Sequence, residues 1–192
     1  MNMTKLDFKT AFNYPFNKPK RMWNFLWIFL PIIGWFVLGG YGVRIIKSFI
    51  KGKFNKLPIL KFKSDLKLGF FMFLKSLPAT LLYIIFLIII IEINPWLELI
   101  RIFTEIFIIP ILFINFINKE TIVSFFEFKI IKEVFNNIGD YSLVILKSIL
   151  LGLIFFIMWI VLVGLPAGAF TKNIFLADFY RRKVKRKFWL WK

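Results

Sequence analysis

The chain has 192 residues, of which 59% are apolar and 20% aromatic. Counting its 10 glycines raises the apolar share to roughly 64%, where soluble domains run to about 45–50%. With a mean hydropathy of +0.76, this is more hydrocarbon than a soluble fold of this size can hide. There is no Cys and no His, which excludes disulfides, thiolate nucleophiles, Cys/His zinc sites and His-ligated haem. The ten carboxylates nowhere pair closely inside an apolar run, and no phosphate-cradling glycine loop or Gly-x-Ser-x-Gly elbow is present. A non-enzymatic protein without a cofactor is therefore expected. The net charge of +17 would suggest nucleic acid in a soluble chain. Here the cations flank apolar segments, where anionic lipid head groups are the natural partner and nucleic acid is not.

Residues 1–21 are mixed and polar, broken by Pro15 and Pro19. The first apolar run, Met22 to Val43, is interrupted by Pro31 and Gly34, and a basic stretch follows from Arg44 to Lys67. The second run, Gly69 to Ile91, carries Lys75 and Pro78. A short acidic connector leads to the third run, Ile102 to Ile117, kinked by Pro110. Asn94 before Pro95 reads as an N-cap and first helical residue, so this helix is predicted to start there. Ser124 to Glu127 has capping-box spacing and predicts a helix over 124–138. Phe128, Ile130, Ile131, Val134, Phe135 and Ile138 share one face, which suits a helix lying in the membrane interface or packed on the protein itself. The fourth run starts at Tyr141 and passes Gly164, Pro166 and Gly168 to about Tyr180, ahead of a polybasic aromatic tail over 181–192.

The cations are unevenly spread. Five lie in residues 1–21, eight in 44–68, one (Arg101) in 92–101, three in 118–140 and eight in 172–192. Cationic short loops stay cytoplasmic. Four simple spans would translocate one of the large basic blocks whichever way the chain inserted. The conflict disappears if the first and last runs are hairpins, broken at Pro31/Gly34 and at Gly164/Pro166/Gly168, that enter and leave on one side. The reading is an all-α integral membrane protein, one membrane domain over 22–180. It divides into a broken hairpin (22–50), a transmembrane hairpin (69–117), an interfacial helix (124–138) and a second broken hairpin (141–180). Both termini are then cytoplasmic. Plain four-span topology, and a signal peptide cleaved near Gly39, are the competing readings.

Glu98, Arg101 and Glu105 fall on one helix face, so Arg101 can pair with both acids. Arg101 and Glu105 are candidate intramembrane polar residues, as an ion or substrate path or as a structural ion pair. Lys75 and Lys147 each sit six residues inside an apolar run and each precede Ser. They are candidates for a paired cationic site, or for snorkelling to lipid phosphates. Arg44, Lys47 and Lys51 form a helical stripe below Tyr41. With Arg181, Arg182, Lys183, Lys185, Arg186 and Lys187, and with Trp189 and Trp191, they are the candidate contacts to anionic lipid.

Several residues also carry a resemblance. Tyr14-Pro15-Phe16, then Lys18 and Pro19, Gly40-Tyr41-x-x-Arg44, Leu57-Pro58, Asp65-Leu66, Gly69 and Leu77-Pro78 are similar to a prokaryotic polytopic membrane protein family catalogued as domain of unknown function 4013. Gly139-Asp140-Tyr141 and the Gly164-x-Pro166 break resemble it further along, so the resemblance spans about residues 11–182. The family's acidic, Trp-containing stretch after Leu-Pro is replaced here by Ile59-Leu60-Lys61-Phe62-Lys63. The resemblance implies a polytopic membrane architecture and assigns no chemistry. The functional expectation is binding of anionic lipid or a membrane partner, with homo-oligomerisation possible, in envelope assembly or transport. A small transporter or channel subunit, and self-protection against a membrane-active peptide, are the alternatives.

Overall fold

The computed structural model describes residues 4–93 and 97–185. In chain order, α1 (Phe8–Asn13) precedes a 3-10 segment (Pro19–Phe29), α2 (Ile33–Ile50) and α3 (Phe62–Ile93). Next, α4 (Glu98–Phe103) runs through a π turn (Thr104–Ile108) into α5 (Ile109–Lys119). A 3-10 turn (Ile122–Phe126), α6 (Lys129–Asn136) and α7 (Ile138–Ile157) follow. After another 3-10 turn (Met158–Val161), α8 (Gly164–Thr171) and α9 (Ile174–Phe179) lead into a π-helical segment (Tyr180–Lys185). Four stretches are long and apolar enough to cross a membrane: Ile33–Ile50, Phe62–Ile89, Glu98–Lys119 and Ile138–Ile160. Only 6% of the most apolar window of α3 is buried within the protein, so most of that surface is apolar and outward-facing. Leu81, Ile85 and Ile88 on α3, and Leu146, Leu153 and Phe156 on α7, belong to this exposed hydrocarbon. Lipid is the solvent that such a surface needs. The chain is an all-α membrane protein.

The first apolar run is a broken hairpin, as its breakers predict. Ile32 adopts a left-handed φ of 64° directly after Pro31, and the chain reverses there. The outgoing leg is 3-10 rather than α and leaves Trp23 and Phe29 exposed. It packs so closely on α2 that a Cβ at Gly34 would lie 1.7 Å from the Trp27 carbonyl oxygen. The Trp35 indole N–H donates to the Ile28 carbonyl at 3.2 Å. At the open end, the Asn17 amide donates to Asn55 O at 2.8 Å, and the Arg21 guanidinium donates to Leu57 O. The two basic stretches on either side of this hairpin thus meet.

Two glycines set the α2–α3 contact. A Cβ at Gly40 would lie 1.9 Å from Asp65 O, and one at Gly69 would lie 1.9 Å from Phe36 O. The helices therefore touch backbone to backbone, which small residues permit between membrane helices. α3 begins seven residues earlier than its apolar run, because Asp65 supplies the start. Its Oδ2 accepts the Lys61 backbone N–H at 2.7 Å, satisfying a donor that the helix cannot.

The last run also reverses, at Leu162 with φ 58°, two residues ahead of the expected glycine. A Cβ at Gly164 would lie 2.0 Å from Phe155 O, so the return leg is pressed against α7. That leg is interrupted once more between α8 and α9, and its end reaches the start of α7, where Tyr141 and Phe179 meet edge-on at 5.0 Å. Pro110 cannot donate to the Ile106 carbonyl. The Tyr141 hydroxyl takes that role at 3.4 Å, beside the π turn.

The expected helix over 124–138 is corrected. Ser124 is buried in a 3-10 turn and its hydroxyl donates to Thr121 O, while Glu127 turns to Lys119 at 2.7 Å and to the Asn115 amide at 3.1 Å. A carboxylate with a cation in reach does not return to the backbone, so no capping box forms, and α6 starts at Lys129. On it Ile130 and Val134 are buried, whereas Phe128, Phe135 and Ile138 at its edges are exposed. The predicted cap at Asn94 and Pro95 lies outside the described residues.

Because its Cβ would meet backbone, Gly40→Ala is expected to lower stability by about 1–3 kcal/mol. Gly42→Ala, on the same helix with nothing within 4 Å, should be neutral or stabilising by up to about 1 kcal/mol. Thermal unfolding of the two variants in detergent compares them directly.

Candidate functional site

The ends of both broken hairpins carry most of the basic residues, and three carboxylate centres organise them. Asp65 is fully buried and faces Arg44, with Nε to Oδ1 at 2.6 Å and an Nη to Oδ2 at 2.7 Å. Arg44 also donates to Ile59 O at 2.6 Å. Glu120, in left-handed conformation at the end of α5, pairs through its carboxylate with Lys47 and accepts Lys75 on its carbonyl at 2.8 Å. Asp178, 2% exposed, takes Arg181 at 2.6 Å, Arg182 at 2.9 Å and the Leu6 backbone N–H at 3.1 Å. Arg182 reaches on to Asp140 at 2.7 Å, and Lys5 joins Asp140 from the other side.

Part of the expected lipid-contact set is engaged within the protein. Arg44, Arg181 and Arg182 are tied to the buried carboxylates Asp65 and Asp178, whose charge packing has removed from water. Lys47 instead pairs with Glu120, which stays partly exposed, and keeps 26% of its own side chain exposed. Lys51 is exposed, and Lys183 and Lys185 are partly so. Burial, and then the neighbouring Lys51 ammonium, hold Lys185 below the ordinary lysine range. Arg186, Lys187, Trp189 and Trp191 lie outside the described residues. Lys18, Lys20, Lys53, Lys56, Lys61, Lys63 and Lys67 are exposed around the same connectors. Several residues that carry the family resemblance also gather here. Tyr14 is buried edge-on to Phe49, Tyr41 donates to Pro58 O at 2.9 Å, and Arg44, Asp65, Gly40 and Gly69 form the contacts already described.

Arg101 does pair with both neighbours on its face, through Nε to Glu98 at 2.8 Å and through an Nη to Glu105 at 2.8 Å. Sequence reasoning missed the fourth member, Tyr83 on α3, whose hydroxyl donates to the same Glu105 oxygen at 2.5 Å. No spacing signal links residues 83 and 105; the α3–α4 packing brings them together. Lys75 and Lys147 do not share one site. Lys75 caps the end of α5, whereas Lys147 is half-buried on α7 with its charge felt by Asp7.

Two cavities flank these groups. One, about 530 Å³, lies between α2, α3 and α5 and is walled by Trp35, Phe36, Gly39, Met72, Phe113 and Ile117 among others. The other, about 500 Å³, lies between the π turn with Pro110, α7 and the α8–α9 break, and includes Glu105, Ser148, Thr171, Lys172 and Asn173. Among the described residues no three metal-ligating side chains come together. The sequence matches no protein family model, no curated protein and no solved structure.

Asp178→Asn leaves two nearly buried guanidiniums underpaired and should cost about 3–5 kcal/mol. The Leu6 amide, which donates to that carboxylate, should exchange its hydrogen faster in the variant. A second test uses alkali. Burial pushes the Tyr180 phenol up to about 12, and Tyr14 rises for the same reason. The native chain then holds protons that the unfolded chain loses near pH 10. Their stabilisation is complete below that pH and falls as pH rises towards 12. In Tyr180→Phe the decline of unfolding free energy across this window should be shallower.

Proposed function

We propose that this is a multi-pass protein of a prokaryotic cytoplasmic membrane, with both termini cytoplasmic. It acts without catalysis, by holding anionic lipid or a membrane partner during transport or assembly of an envelope component. One observation carries the reading: the exposed lysines at 18, 20, 51, 53, 56, 61, 63 and 67 surround an end whose carboxylates Asp65, Asp140 and Asp178 are already engaged by Arg44, Arg181 and Arg182. With the acids turned inward, the outward field there is positive, which attracts an anionic leaflet and favours cytoplasmic retention of these loops. Membership of the resembled family is part of the same proposal, supported by the gathering of its residues at this end.

In nanodiscs of mixed phosphatidylglycerol and phosphatidylcholine, the protein should enrich the anionic lipid around itself. Raising salt from about 0.1 M to 1 M, which shortens the screening length from about 10 to 3 Å, should erode that enrichment. Equal shells of both lipids, insensitive to salt, would refute it. Because the chain has no Cys, single cysteines at Lys18, Lys56 and Lys119 test the orientation. They should resist an impermeant maleimide in intact cells, while one at Asn94 reacts.

The second cavity favours one other reading, a transporter or channel subunit. An acid (Glu105) and a base (Lys172) line it, and both neighbouring helices are broken there, as at transporter binding sites. Reconstituted flux of a zwitterionic solute should drop in Glu105→Gln and Lys172→Gln; flux unchanged in both removes this reading.

A further inference from the structure

The first cavity is almost wholly apolar, with Ser76 the lone hydroxyl on its wall. It runs along α2 from Ile32 to Val43, eleven residues or roughly 16 Å at the helical rise. That matches one leaflet of a hydrocarbon core about 30 Å thick. Two of the helices end the slot in a polar group one turn further on: Lys47 follows Val43 and Glu120 follows Ile117, each on the same helix face as the lining residue. Lys75 stands next to Ser76 on the α3 wall and reaches the Glu120 carbonyl at 2.8 Å. Lys47 and Lys75 converge there on Glu120, Lys47 on its carboxylate and Lys75 on its backbone carbonyl, so the acid neutralises Lys47 while Lys75 donates to a neutral oxygen. Lys47 keeps 26% of its side chain exposed.

We infer that this slot seats one acyl chain of an anionic phospholipid, with its phosphate against Lys47 and Lys75; the inference rests on the anionic-lipid reading above and narrows it to one lipid at one place. A second copy of a chain with 27 cations and ten acids is a poorer partner for these ammoniums than a phosphate is. A single acyl chain fits, restores the dispersion contacts that the bare walls lack, and brings a second anion to the surplus ammonium.

Gly39 supplies the test, since it lines the slot and a Cβ there meets nothing nearer than 4.0 Å. Native mass spectrometry after mild delipidation should find one phosphatidylglycerol retained by the wild type. Retention should fall about tenfold in Gly39→Phe but not in Gly42→Phe, which lies outside the slot. Lys47→Gln with Lys75→Gln should abolish the preference for phosphatidylglycerol over phosphatidylcholine. Phosphatidylglycerol with a photoreactive acyl chain should label the wild type at Trp35, Met72 or Phe113, a readout that needs no variant to fold. Undiminished retention in Gly39→Phe, labelling only elsewhere, or cross-links between two protein chains through these residues would overturn the assignment. Lys51→Glu with Lys53→Glu and Lys56→Glu should erase the salt-sensitive lipid shell and leave the single retained lipid. An empty slot inside an intact anionic shell sinks the seat alone, whereas loss of the shell in the wild type sinks the broader reading.

Discussion

A carboxylate buried among cations costs far more alone than paired, and Asp178 collects its partners from both ends of the chain: Leu6 from the first turns, Arg181 and Arg182 from the last. In a protein with 27 cations and ten acids, each buried acid is certain to find a partner, and the choice of partner fixes which segments touch. Asp65 fastens α2 to the start of α3, Glu120 joins α2 and α3 to the end of α5, and Asp140 adds the N-terminal segment to α7. The hairpins then have their open ends together.

The same economy explains the chain reversals. Within hydrocarbon, backbone groups that leave a helix need partners from the protein. At Ile32 and Leu162 the chain turns on residues in left-handed conformation, and in both places a glycine two residues later lets the return leg press against the outgoing carbonyls. Where Pro110 deprives a carbonyl of its donor, a tyrosine from α7 replaces it.

What the sequence makes legible follows from locality. The apolar runs, the breakers and the Glu98–Arg101–Glu105 face are all visible because helical spacing alone determines them. The Asp178 pairs with Arg181 and Arg182, three and four residues on, had the same signature, but a polybasic tail reads as a lipid-binding feature unless burial of the acid is known. Arg44 with Asp65, Lys47 with Glu120 and Tyr83 with Glu105 were hidden, since their separations mean nothing until the helices are packed. Ser124 and Glu127 illustrate the converse: a pattern with correct local spacing yielded to Lys119 and Asn115, whose competing contacts are tertiary.

Leu6 and Asp178 stand 172 residues apart in sequence. During synthesis at about 5–20 residues per second, the amino-terminal segment therefore waits roughly 10–30 s for its anchoring carboxylate to emerge. Through most of that interval Phe8 lacks the Phe175 ring on which it later stacks, and Phe12 and Phe16 meet Phe155 only once α7 has emerged. This joint therefore closes only after residue 178 is made, whereas the contacts of Asn17 with Asn55 and of Lys5 with Asp140 become available earlier.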